Sequence, residues 1–132
     1  MKLHATVLAR TLALALTVSS VVASAQAAPA LDDPTTVVTV MQFSARSAAA
    51  RAPLQERMGA IRDYIRKQPG YIENALMENR NSGAKPEFVG VSRWKSFKDW
   101  ESLWQKPEFQ KLVAAAGEVG DINPGTYSPV KR

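Results

Sequence analysis

The chain has no cysteine, and its single histidine, His4, lies almost at the N-terminus. Without cysteine there is neither a disulfide to staple the fold nor a thiol nucleophile. With no histidine in the body of the chain, the usual zinc, copper and non-haem iron sites cannot be assembled. An imidazole ligand for haem is missing as well, and so is any Ser-His or Cys-His pair. Chemistry must therefore rest on carboxylates, arginine, lysine, tyrosine, tryptophan and amides. The formal net charge of +5 is mild and carries no dense basic stripe, which argues against a nucleic-acid partner.

A long apolar run is also missing. The stretch from Thr11 to Val22 falls short of the roughly 20 residues needed to span a bilayer. It is preceded by Lys2, His4 and Arg10 and followed by Ala-Ser-Ala and Ala-Gln-Ala triplets. Residues 1–27 therefore read as a secretory signal peptide cut after Ala27, with Ala25 as the second choice. The expectation is a periplasmic or secreted protein with no stable membrane span after cleavage. Residues 28–35 form a flexible lead-in, and residues 36–130 form one domain.

Thr36 to Ser44 is rich in β-branched and apolar residues and predicts a strand covered on both faces. Pro53 opens a helix running to about Lys67, with Leu54, Met58, Ile61 and Ile65 as its buried stripe. Pro69-Gly70 stops it. Tyr71 to Arg80 and Glu87 to Lys95 form a hairpin around the turn formers from Asn81 to Pro86. Ser96, with Asp99 three residues on, marks a helix start close to a capping box. Pro107 opens another helical stretch with Phe109, Leu112, Val113 and Ala116 inward, ending near Gly117. Pro124, Gly125 and Pro129 predict an irregular last strand. The order β-α-β-β-α-β is the ferredoxin-like α+β arrangement, a four-stranded antiparallel sheet with helices on one face. Its second face needs a cover, and a second copy of the chain supplies one as an isologous homodimer.

Particular residues then carry a resemblance. They are Pro69-Gly70-Tyr71 entering the second strand, Phe88-Val89 through Arg93-Trp94-Lys95-Ser96 closing the third, Trp100 in the next helix, Pro107-Glu108-Phe109 restarting it, and Tyr127 between Pro124 and Pro129. In order and spacing the chain resembles the antibiotic biosynthesis monooxygenase family over roughly Thr36 to Val130. The resemblance implies a dimeric α+β barrel. Some members oxygenate polycyclic phenols without metal or cofactor, others degrade haem, and many have no known activity. The haem-degrading branch carries an axial histidine where this chain has Val113 and a first-strand asparagine where it has Gln42 or Ser44. Members with a histidine in the helix after the tryptophan match poorly too, since Leu103 stands there.

Trp94 corresponds to a family tryptophan near the substrate cavity, and its indole N–H suits a phenolate or peroxide oxygen. Packing at the end of the sheet is the alternative role. Asn79, near the end of the second strand, is the second catalytic candidate, with a hairpin hydrogen bond as its alternative. Tyr64, Trp104, Met58 and Met77 are the substrate-binding candidates. Trp100 reads as core, and Arg93 points to the side of the strand opposite Trp94. A general base would have to be Glu73, Glu78, Asp63 or the substrate's own acidity. The leading expectation is a cofactor-independent monooxygenase acting on a small electron-rich phenol or quinol, with no metal, flavin or haem. The alternative is a non-catalytic periplasmic module that binds a small apolar ligand or serves in stress.

Overall fold

A computed structural model describes residues 30–131. The predicted signal peptide and its cleavage site lie outside the described residues. Strand β1 (Val37–Ala45) leads through a single 3-10 turn into helix α1 (Arg51–Ile65). Strands β2 (Tyr71–Glu78) and β3 (Phe88–Trp94) follow, then α2 (Phe97–Trp104), α3 (Pro107–Gly117) and β4 (Gly120–Tyr127). The sheet order is β2-β3-β1-β4 with every pair antiparallel. This is the expected ferredoxin-like topology. The described elements end close to their predicted limits, with α1 two residues short of Lys67.

Strand alternation sorts the sheet into two faces. Thr39, Met41 and Phe43 of β1 pair across β3 with Ser92, Gly90 and Phe88, and this layer lies under the helices. Leu54, Met58, Ile61 and Ile65 of α1 are buried, as are Trp100 and Leu103 of α2 and Phe109 and Ala116 of α3. Trp94, Phe43, Phe109, Leu54 and Leu103 are the largest fully buried side chains of this core. The other face carries Val38 and Val40 beside Val91 and Arg93, with Ala75 and Met77 of β2 next in line. Arg93 and Trp94 thus point to opposite sides, as expected, and Arg93 makes an ion pair with Glu73 on the neighbouring strand.

Two local features differ from or sharpen the sequence reading. The last strand is regular rather than broken. It pairs residue for residue with β1 from Val38↔Tyr127 to Ala45↔Gly120. Pro124 is tolerated because β4 is an edge strand, where a missing N–H need not interrupt a second ladder. At the start of α2 the Ser96 hydroxyl accepts from the Asp99 amide at 3.1 Å and donates to the Asp99 carboxylate at 2.8 Å. Gly70 is pressed against that cap with φ +81°, and a Cβ there would lie 2.2 Å from Asp99 Oδ2. Gly70→Ala is therefore expected to lower stability by about 2 kcal/mol, from left-handed strain plus displacement of the cap. A urea midpoint equal to that of the parent would refute this packing.

Candidate functional site

Six aromatic rings fill the end of the helix layer nearest the C-terminus of β3. Tyr71 meets Trp94 edge-on at 6.1 Å between centroids, and Trp94 lies 5.5 Å from Trp100. Trp100 contacts Trp104 at 5.6 Å, Trp104 contacts Phe109 at 5.0 Å, and Phe109 stacks on Tyr64 at 6.0 Å. The spacing of Trp100 and Trp104 by four residues places both on one helix face, as the sequence implied. Edge-to-face contacts of this kind add to the apolar burial of each ring. The cluster is solid: Trp94 is 0 % exposed and its indole N–H donates to Thr39 Oγ1 at 3.3 Å. Trp94 is therefore a wall and a core residue, with its N–H already engaged.

The predicted site residues do not converge. Trp94 pairs with Val37 and Tyr71 at one end of the sheet, whereas Asn79 follows the opposite end of β2. Asn79 Nδ2 donates to the Pro86 carbonyl at 3.0 Å, and its Oδ1 accepts from the Asn81 amide at 3.0 Å. That is the hairpin role. With Arg51, Glu78, Arg80 and Glu87 it borders a polar groove of about 240 Å³. Tyr64 and Trp104 join the aromatic cluster, both half-buried. Met58 is buried under α1, while Met77 is 47 % exposed on the far face of the sheet.

What the structure does bring together is a cleft between α1 and the β2–β3 half of the sheet. Met41, Phe43, Met58, Ile61, Ile65, Leu76 and Gly90 make its apolar walls, and Arg62, Asn74 and Ser92 supply its polar groups. Asn74 and Ser92 are directly paired across β2 and β3, so the strand register sets one amide and one hydroxyl side by side. Gly90 keeps the floor low: a Cβ there would approach Leu76 Cδ2 to 3.3 Å. Of the predicted residues only Met58 lines this cleft. Asn74, Ser92 and Gly90 carried no motif, and the signal that would have found them is the hairpin register.

The cleft is narrow, with an internal volume of about 10 Å³, roughly the space of one water. Its roof is α1. The N-cap residue of α1, Ala50, makes no side-chain cap hydrogen bond, and Gly59 sits in mid-helix, where glycine weakens a helix by roughly 0.5–1 kcal/mol relative to alanine. Met58, unbranched and polarizable, adapts its shape more readily than a branched side chain. The carboxylates that could act as bases are all paired with arginines: Glu73 with Arg93, Glu78 with Arg51, and Asp63 with Arg62. None of these carboxylates borders the cleft. Among the described residues no group of three His, Cys, Asp or Glu side chains is placed to hold a metal ion.

This combination defines a class of ferredoxin-like α+β domain with a lipophilic cleft under its first helix. No family model matches the chain, and no curated protein matches it at a significant level. Solved structures do share its fold. SnoaB, a cofactor-independent oxygenase from Streptomyces nogalater, is 16 % identical over 74 % of this chain and 96 % of its own, with a TM-score of 0.63. A "putative antibiotic biosynthesis monooxygenase" from Deinococcus radiodurans is 17 % identical over 73 % of this chain and 94 % of its own, at 0.62. A dimeric protein of unknown function and ferredoxin-like fold from Bacteroides fragilis is 13 % identical over 71 % of this chain and 96 % of its own, at 0.60. The chain thus shares the ferredoxin-like fold of these proteins, the fold that its order of elements implied.

Proposed function

We propose that the protein is an exported, homodimeric, cofactor-independent monooxygenase whose substrate is a small electron-rich phenol or quinol held in the α1–sheet cleft. The observation that carries this reading is the pairing of Asn74 and Ser92 at the edge of an otherwise apolar cleft, with Arg62 beside them. A flat aromatic ring would match the methionine, leucine and isoleucine walls once α1 lifts to make room for it. The Asn74 amide and Ser92 hydroxyl are suited to orienting its oxygen, and the Arg62 guanidinium favours the phenolate over the phenol. That matters because no carboxylate borders the cleft, so the substrate's own acidity must supply the electron-rich anion. A phenol unsubstituted para to its hydroxyl then reacts with O2 to give a quinone and water. One oxygen atom becomes the new carbonyl, the other leaves as water, and the substrate provides all four electrons. This balance needs no flavin or metal.

The lack of an unpaired base in the cleft favours a second reading, a non-catalytic module that binds the same class of ligand. Oxygen-electrode assays of the purified protein against a panel of quinols and polyphenols separate the two. The first reading expects uptake without added metal, flavin or haem, and a three- to tenfold lower kcat/KM for Asn74→Leu, the loss of roughly one hydrogen bond. Tryptophan fluorescence quenching with no uptake across the panel would leave only the binding module, and uptake only with haem would sink the proposal.

The homodimer is supported by the second face of the sheet. Val38, Val40, Val91, Ala75 and Met77 make an apolar patch, with Tyr127 52 % exposed at its edge. An isologous partner would cover this patch with its own copy. Sedimentation velocity is expected to show a dimer at micromolar concentration, converted to monomer by Val40→Glu; a Val40→Glu protein that stays dimeric would exclude this face as the interface.

A further inference from the structure

We propose that Tyr71, Trp94, Trp100 and Trp104 form a one-electron relay that carries oxidising equivalents from the edge of the α1–sheet cleft to the protein surface. The path begins at the cleft itself. The Tyr71 hydroxyl donates to Asn74 Oδ1 at 3.2 Å, and Asn74 lines the cleft. From Tyr71 the rings run without a gap to Trp94, Trp100 and Trp104, at 6.1, 5.5 and 5.6 Å between successive centroids. These are all three tryptophans of the chain. Electron tunnelling falls off exponentially with separation, so hops between touching rings outpace any direct jump across the same span.

The direction follows from burial and proton acceptors. Oxidised tyrosine must lose its phenolic proton, and the Asn74 amide oxygen that faces it is too weak a base to take it. Trp94 is 0 % exposed, and its N–H faces only the Thr39 hydroxyl, which is no better as a base. A radical cation there is both desolvated and unable to shed its proton. Trp100 is 4 % exposed and shares that handicap. Trp104 is half-buried at the end of α2, where water solvates the cation and accepts the indole proton. The oxidant is a radical in the cleft stronger than an indolyl radical, such as an alkoxyl or hydroxyl radical left by cleavage of a peroxide O–O bond. It gains the electron that Trp104 loses, the Trp104 N–H proton goes to water, and the neutral indolyl radical is restored by an electron and a proton from a soluble reductant. No cysteine competes as a sink. The use of the relay rests on the oxygenase reading, which supplies the radical, whereas the ring-to-ring path itself is a property of the packing and is tested without the cleft reaction.

The absence of cysteine makes a direct test available. A ruthenium polypyridyl photo-oxidant is attached at Lys95→Cys, an exposed position next to Trp94, and fired with a soluble quencher. Peptide mass spectrometry then locates the oxidised residue. The expected product lies on Trp104, severalfold above Trp94 and Trp100. Trp100→Phe is expected to cut the Trp104 yield about tenfold and leave the product on Trp94. Trp104→Phe, a change at a half-buried ring that spares the inner core, is expected to move the product back to Trp100 and Trp94. A Trp104 yield that survives Trp100→Phe, or product concentrated on Trp94 in the otherwise unchanged chain, would overturn the relay. So would a Trp104→Phe protein in which Trp94 and Trp100 stay unoxidised.

Discussion

The burial of Trp94 constrains everything else in this fold. Its ring occupies the end of β3 under the helices, and Tyr71, Trp100 and, through Trp100, Trp104 and Phe109 are arranged around it. Rings fill that volume from Trp94 to Phe109. Burying an indole also requires a partner for its N–H, and the Thr39 hydroxyl of β1 supplies it. Under α1, aliphatic side chains and Met58 meet Gly90, which has no side chain, and the short side chain of Ser92. The aromatic and the aliphatic halves of the helix layer are thus set by residue type.

The same alternation that turns Trp94 inward turns Arg93 outward, beside Val38 and next to Val91 along its own strand. One strand therefore serves two purposes. Its inner residues define the cleft floor and the aromatic wall, and its outer residues present an apolar surface crossed by the Arg93–Glu73 ion pair. An ion pair on such a face adds little affinity by itself but fixes the register of whatever packs there.

Much of the fold was legible in the chain. The β-branched run of β1, the four-three-four spacing of α1, the Ser96 cap and the Pro107 restart each have a local physical cause. Pro124 was misleading because a proline breaks a central strand but not an edge strand, and edge position is a tertiary fact. The site was less legible for the same kind of reason. Trp94 and Asn79 look like partners in a list of polar candidates, but the hairpin register sends them to opposite ends of β2. Thr39, 55 positions from Trp94, could not be matched to its N–H without the β1–β3 pairing. Asn74 and Ser92 meet only because β2 and β3 pair in one register. Family-level features were visible in local residues, whereas the polar pair that defines this cleft is a product of strand pairing.

In the proposed function ligands enter under α1 and not among the aromatic rings. Hydrogen–deuterium exchange with and without a saturating phenol tests it most directly. The account expects added protection in α1 from Met58 to Ile65 and in the paired segments around Asn74 and Ser92, with α2 and α3 unchanged. Protection confined to Trp100–Phe109, with α1 unaffected, would contradict it.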